Sequence, residues 1–223
     1  MSGRAPRAVL FDLDGTFADT AADLARAANV LRARRNLAPL PNSAYRPEVS
    51  NGGRGMVRVA FGVTPDAPDF TSLRDEFLAA YADAICVDSV IFDGINEVVA
   101  ALEARKIAWG IVTNKHTRFT TPLVKALGID TRAACIVSGD TTAHAKPHPA
   151  PLLHAATQIG VAPEDCWYVG DDERDITAAN AANMKSIIAH YGYLGGTDPA
   201  TWKADTGIYS PLELLQTHPT FMT

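Results

Sequence analysis

Ala8-Val9-Leu10-Phe11-Asp12-Leu13-Asp14-Gly15-Thr16 decides how the rest of the chain reads. A run of apolar residues that stops at two carboxylates and a glycine is the pattern of a parallel strand, buried on both faces, ending in a polar loop. Side chains alternate along extended backbone, so Asp12 and Asp14 leave the strand toward one side. Carboxylates held that close repel unless one takes up a proton or a cation sits between them. Hard oxygen donors of this kind suit Mg²⁺, beside which one carboxylate stays ionised as a nucleophile while the other carries a proton. Asp-Gly is equally a common turn signal, and the segment alone is open to that reading.

Beyond this loop the chain is helical through residues 19–91. Asp19 or Thr20 can cap a helix carrying Leu24, Ala28 and Leu31 on one face. Pro39, Pro41 and Pro47 break the pattern, and Phe70, Leu73, Phe77, Tyr81 and Ala84 restore it. Between them, Gly52-Gly53-Arg54-Gly55 reads as a turn opening a short helix over 56–61. Glycines let backbone approach a ligand, and Arg54 beside Gly53 could grip a carboxylate or a sugar oxygen. A flexible join between helices has the same composition. The stretch is not a dinucleotide fingerprint, since no strand precedes it and a third glycine is missing.

After Phe92-Asp93-Gly94 helices and strands alternate. The pattern predicts helices over 95–105, 117–127, 152–159 and 176–182, the second and third closed by Gly128 and Gly160. Apolar, β-branched strands fall at 108–112, 135–138, 166–169 and 186–189. Together these describe an α/β chain: a Rossmann-like, doubly wound parallel sheet formed by 1–18 and 92–223, with an inserted all-helical cap, 19–91. Such sheets bind ligands beyond the carboxyl ends of their strands.

Those ends hold the unusual polar residues. Thr113-Asn114 joins a hydroxyl to the free amides of a coming helix, an anion-binding arrangement that a simple helix cap shares. Lys146, stiffened by Pro147 and Pro149, is a held ammonium that would stabilise charge on a transferring phosphoryl group. In Gly170-Asp171-Asp172-Glu173-Arg174-Asp175, Asp171 is a candidate metal ligand, and Asp175, one helical turn on, could brace Lys146. Acids also accumulate at solvated helix starts.

Composition narrows the function. The chain has 223 residues, 47% of them apolar and 20% charged, an ordinary globular balance. A formal charge of −5 argues against nucleic-acid binding. No apolar run is long enough to cross a membrane, and the basic N-terminus is followed by too short an apolar stretch for a secretory leader. Cys86, Cys135 and Cys166, odd in number and without a CxxC, read as reduced thiols of a cytoplasmic protein. His144 and His148 are kept from helical zinc-ligand spacing by Pro147 and Pro149. The run Arg32, Arg34, Arg35 reads as a solvated helix face, and Tyr191, Tyr193 and Trp202 as packing near the sheet edge.

Phe11-Asp12-Leu13-Asp14-Gly15-Thr16, Val112-Thr113-Asn114, Lys146-Pro147 and Gly170-Asp171-Asp172 with Asp175 together resemble all four motifs of the haloacid dehalogenase superfamily. The helical insert resembles that superfamily's C1 cap, and the likeness covers nearly the whole chain. It points to phosphoglycolate phosphatase-like members. Thr113-Asn114-Lys115 with Arg118-Phe119, Tyr191-Gly192-Tyr193 and Trp202-Lys203-Ala204-Asp205 are similar to the N-acetylmuramate 6-phosphate phosphatase branch.

The resemblance implies that Asp12 forms an aspartyl-phosphate and Asp14 is acid and base. Mg²⁺ would be held by Asp12, the main-chain oxygen of Asp14 and Asp171, with Asp172 and Asp175 behind them. Thr113, the Asn114 amide and Lys146 would bind phosphoryl oxygens. The expected partner is a small phosphorylated metabolite, 2-phosphoglycolate first, for a monomer or homodimer. A phosphomutase shares every motif; a receiver-type signalling domain would lack the insert, and a dehalogenase would need neither Asp14 as acid nor Asp171. Phe17, Asp93 and Asn183 depart from the usual pattern without touching a chemical group.

Overall fold

Strand β1, Ala8–Phe11, lies at the centre of the sheet in the computed structural model, which describes residues 5–221. Of the basic N-terminus, residues 1–4 lie outside the described part, as do residues 222–223. In chain order follow β2 (Ala18–Asp19), α1 (Ala21–Arg34), α2 (Asn42–Tyr45), α3 (Gly52–Phe61), α4 (Phe70–Ala82) and β3 (Val90–Ile91). Next come α5 (Ile95–Ala104), β4 (Ala108–Val112), α6 (Thr117–Ala126), β5 (Cys135–Val137) and α7 (Ala150–Ile159). The last are β6 (Cys166–Gly170), α8 (Glu173–Ala181), β7 (Lys185–Ala189) and β8 (Thr206–Ile208).

The sheet is parallel throughout, in the order β5-β4-β1-β6-β7-β8. Period-two alternation sorts β1 between two cores: Val9 and Phe11 pack with Ile95, Val98 and Leu123, and Ala8 and Leu10 with Leu152, Ala155 and Ala178. Helices therefore cover both faces, as a doubly wound sheet requires. From β1 the chain goes to β4 on one side and later to β6 on the other, so the carboxyl ends of β4, β1 and β6 meet at the switch point.

Helices α1 to α4 bury their apolar stripes on one another: Leu24, Ala28 and Leu31 pack with Met56, Val57, Phe77 and Tyr81 around Tyr45. The ends of this segment are tied by β2 and β3, which pair antiparallel as Ala18 opposite Ile91 and Asp19 opposite Val90. Asp23, buried in α1, accepts from the main-chain N–H groups of Val87, Asp88 and Ser89 and so shapes the return. No helix among the described residues is long and apolar enough to cross a membrane.

Four local expectations change. Residues 52–55 form the first turn of α3 instead of a turn before it: Gly55 lies so close to Glu48 O that any Cβ would collide, and glycine lets the helix begin there. Helix α8 starts at Glu173, because Asp172 and Asp175 form a reciprocal capping box. Thr20 precedes α1 without capping it, its hydroxyl going to Asp14 instead. Strands β2, β3 and β8 are two or three residues long and carry no apolar run that periodicity could detect.

Candidate active site

Lys146 is the centre of the site. Its side chain is 2% exposed, and its ammonium lies 2.8 Å from Asp12 Oδ1, 2.7 Å from Asp175 Oδ1, 2.8 Å from Tyr168 Oη and 2.9 Å from Val112 O, sharing its three N–H groups among them. Burial opposes its charge, but the Asp12 and Asp175 carboxylates outweigh that and raise its pKa. The lysine lies on a loop far from β1 in sequence, and Asn114 brings it in. The Asn114 carboxamide accepts from Lys146 N and donates to Lys146 O, both at 2.9 Å. Its side chain is thus committed to the lysine's main chain.

Asp12 follows β1 and is held there by Asp12 N donating to Val169 O at 2.9 Å. Its carboxyl is pushed up to about 7, chiefly by burial, against the pull of Lys146 and with the charges of Asp175 and Asp14 adding. Asp171, at the end of β6, is 1% exposed. Thr16 Oγ1 donates to its Oδ1 and Tyr193 N to its Oδ2, both at 2.8 Å. No ion pair among the described residues reaches it, and burial together with the charges of Asp12 and Asp175 drives its pKa well above the carboxylate range. Gly15, at φ +90°, keeps this floor open, since a Cβ would strike Asp171 Oδ2 and the Tyr193 ring.

Oxygens of Asp12, Asp171 and Asp175 lie within 4.8 Å of one another. One ammonium pairs with two of these three carboxylates, and the third, Asp171, has only neutral donors among the described residues. That donor set fits a hard divalent cation, which would supply the missing charge. The Asp14 carboxylate is not part of this cluster. It accepts from Thr20 Oγ1 at 2.5 Å and from Lys115 Nζ at 2.9 Å, both at Oδ1. Lys115 in turn donates to Tyr81 Oη at 2.9 Å, its ammonium 4.7 Å from the centre of that ring, and so links Asp14 to α4.

Thr113, 2% exposed after β4, accepts from Lys115 N at 3.1 Å. Asp172 stands apart from the carboxylate cluster. Burial opposes its ionisation, yet a fork from Arg174, Nε at 2.7 Å and Nη2 at 2.9 Å, holds its pKa below the usual range. Arg174 Nη2 also donates to Ser50 O at 2.6 Å, joining α8 to the helical segment. One cavity of about 380 Å³ is lined by Asp12, Asp14, Thr113 and Lys146 together with Gly53, Arg54 and Phe77.

The structure thus brings Asp12, Asp14, Thr113, Asn114, Lys146, Asp172 and Asp175 to one cavity that Gly53 and Arg54 also line, and Asp171 is outside that lining but within reach of Asp12 and Asp175. Sequence reading missed Lys115, Tyr81, Arg174, Tyr168 and the Tyr193 main chain. Only Lys115 and Arg174 carried a signal, as cations flanking the Thr113-Asn114 and Asp171-Asp172 motifs. Tyr191, read as packing, donates to Thr16 O at 2.9 Å behind the loop.

A family model for haloacid dehalogenase-like hydrolases matches residues 9–189. The chain is 45% identical over 212 residues to the phosphoglycolate phosphatase of Xanthomonas campestris pv. campestris, covering 95% of this chain and 96% of that one. It is 41% identical over 210 residues to the N-acetylmuramic acid 6-phosphate phosphatase of Pseudomonas aeruginosa, covering 94% and 93%. Among solved structures, a predicted phosphoglycolate phosphatase from Haemophilus somnus superposes with a TM-score of 0.82 at 27% identity, over 95% of this chain and 97% of that one. With the sheet order, the strand-end carboxylates and these likenesses in agreement, the chain belongs to the haloacid dehalogenase-like hydrolase family.

Proposed function

We propose that the chain is a phosphomonoesterase for a small phosphorylated carboxylic acid, with 2-phosphoglycolate as first candidate and Asp12 as nucleophile. One observation carries this: Asp12, under a cavity large enough for a small ligand, has one carboxylate oxygen held by a buried lysine and the other free to attack. The names of the relatives support the substrate class, since phosphoglycolate and N-acetylmuramic acid 6-phosphate each carry a carboxylate in addition to the phosphate. The volume of about 380 Å³ favours the sugar acid phosphate as a second reading, because phosphoglycolate would fill only part of it.

In the proposed reaction Asp12 attacks phosphorus, the ester P–O bond breaks, and Asp14 gives its proton to the leaving alkoxide. Water then attacks the aspartyl-phosphate, passing a proton to Asp14 and releasing phosphate and a free Asp12. Thr113, the Asn114 main-chain N–H and Lys146 hold the non-bridging oxygens, so catalysis is mainly positioning and charge neutralisation. Asp12, Asp171 and the main-chain oxygen of Asp14 would hold Mg²⁺, with Asp175 and Asp172 steadying Lys146 and the loop. The ion would neutralise charge on the phosphoryl group. Residues 19–91 would act as a cap over a core of 1–18 and 92–223, excluding water during transfer. Three unpaired cysteines suit a reducing cytoplasm.

The decisive experiment is rapid quench of the native protein with a ³²P-labelled ester and Mg²⁺, followed by peptide mapping. Acid-stable, base-labile label on the peptide containing Asp12 is expected, and label elsewhere, or none under single-turnover conditions, would remove Asp12 from the nucleophile role.

A further inference from the structure

Tyr193 belongs to two places at once. It is 7% exposed and part of the apolar cluster that α1 to α4 form, yet it lies on the loop after β7, in the part of the chain that builds the sheet. Tyr193 N donates to Asp171 Oδ2 at 2.8 Å. At the far end of the side chain, Tyr193 Oη accepts from Thr20 N at 2.8 Å and donates to Asp19 Oδ1 at 3.0 Å. One residue thus spans from a candidate cation ligand to the point where the chain leaves the sheet for the helices.

Neither end is loose. Gly192 is pressed so closely against Asp171 and Gly15 O that any Cβ would collide with both, and Gly192 N donates to Ala189 O at 3.0 Å. On the helical side Arg46, in the turn between α2 and α3, pairs with Asp19 Oδ2 at 2.6 Å. Its guanidinium also lies over the Tyr193 ring, 4.8 Å from the ring centre. Asp19 and Thr20 are the last residues before α1, and Asp19 sits in β2, opposite Val90 of β3. The tyrosine hydroxyl therefore grips the stem formed by the two short strands, while its main chain grips Asp171.

A phenylalanine would fill the same place in the apolar cluster, so packing does not account for the hydroxyl. A buried tyrosine hydroxyl with both a donor and an acceptor partner has one position to occupy. Only two rotatable bonds join it to the main chain, and ordering one end of so short a lever lowers the entropy cost of ordering the other. Such a linkage is reciprocal: what steadies Asp171 steadies the stem, and the reverse. We propose that Tyr193 is a positioning residue that couples the cation site at Asp171 to the stem of the helical segment, so that a divalent cation bound at the first orders the second. This deepens the phosphatase reading above and rests on its cation site.

The experiment is hydrogen–deuterium exchange of the native protein and of Tyr193→Phe, titrated with Mg²⁺ in the absence of substrate. Peptides over 169–173 report the cation site, and peptides over 17–21 and 88–92 report the stem. In the native protein Mg²⁺ should slow exchange in all of them with one midpoint. In Tyr193→Phe the cation site should still respond, at about two- to tenfold more Mg²⁺, the span of one ordinary hydrogen bond. Its stem should exchange faster and no longer respond to the ion. Arg46→Met opens the link from the helical side and should also remove the stem's response, which decides the matter if Tyr193→Phe does not fold. A residue that only fills space would lower Tm when changed and leave the midpoint and the stem's response at native values. That result overturns the proposal, as does a native stem indifferent to Mg²⁺ while the cation site responds. Hydrolysis of an aryl phosphate, lost in Asp12→Asn, would then leave the phosphatase reading standing. If the stem responded as expected but the native protein hydrolysed no ester, the phosphatase reading alone would fall. With no response to Mg²⁺ at 169–173, the cation site and the coupling would fall together.

Discussion

Lys115 Nζ lies 2.9 Å from Asp14 Oδ1, the same oxygen to which Thr20 donates. One oxygen of the carboxyl is therefore held from two sides, and a proton passing to a leaving group would travel on Oδ2. Lys115→Met removes one of the two anchors and should lower kcat by about ten- to a hundredfold, with KM changed less. Steady-state kinetics on an aryl phosphate checks this; an unchanged kcat would leave Lys115 without a positioning role.

Lys146 serves charge balance as well as chemistry. Lys146→Met leaves Asp12 and Asp175 buried without their cation, 13% and 2% exposed. Breaking such a buried pair costs about 3–5 kcal/mol, and the lost phosphoryl contact should lower kcat by roughly 10²–10³. Urea unfolding and turnover measure the two separately. Mg²⁺ should return part of the stability and little of the rate.

The pH response follows from Asp12. Its pKa is pushed up to about 7 in the folded protein, chiefly by burial, against 3.8 ordinarily. The folded state then binds a proton more tightly than the unfolded chain does between these values. The contribution of this group to stability is complete below 3.8 and is lost as pH rises through about 7. In EDTA, Tm should therefore carry a component that falls from about pH 5 to about pH 8, and the gain in Tm from Mg²⁺ should grow over the same range. Asp12→Asn should flatten both slopes. A Mg²⁺ gain equal at the two ends in the native protein would exclude Asp12 as the titrating group.

Asp171→Asn should act with opposite signs on either side of metal binding. Without metal it replaces a buried carboxyl that burial and the neighbouring Asp12 and Asp175 charges already keep from ionising, with Thr16 and Tyr193 as its donors among the described residues, and Tm should hold or rise. With metal it should raise the Mg²⁺ concentration for half-maximal activity by at least about tenfold. A metal requirement left unchanged would take Asp171 out of the ligand set.

Five strands of the sheet were legible because they are short apolar runs, bounded by glycine and acids as at Val9 to Gly15 and at Val169 to Asp172, whereas β8 was not. Helix stops were legible where glycine takes a left-handed conformation, as at Gly160. What periodicity does not carry is contact between distant segments. Tyr168 reads as one more buried residue of β6, yet its hydroxyl meets the Lys146 ammonium. Tyr193 holds Asp171 through its main chain, whose direction no side-chain pattern reveals. The Arg174 link to Ser50 joins residues 124 positions apart, and Asn114 spends its carboxamide on the Lys146 backbone for the same unreadable reason.

The two short strands at Ala18–Asp19 and Val90–Ile91 form a stem through which the polypeptide departs from the sheet and comes back at adjacent positions. A unit mounted this way should behave as an interchangeable head on a common handle. Exchanging residues 21–89 for a helical head of another sequence, with the stem and Thr20 kept, should redirect which ester is accepted while Asp12 and Lys146 stay in place.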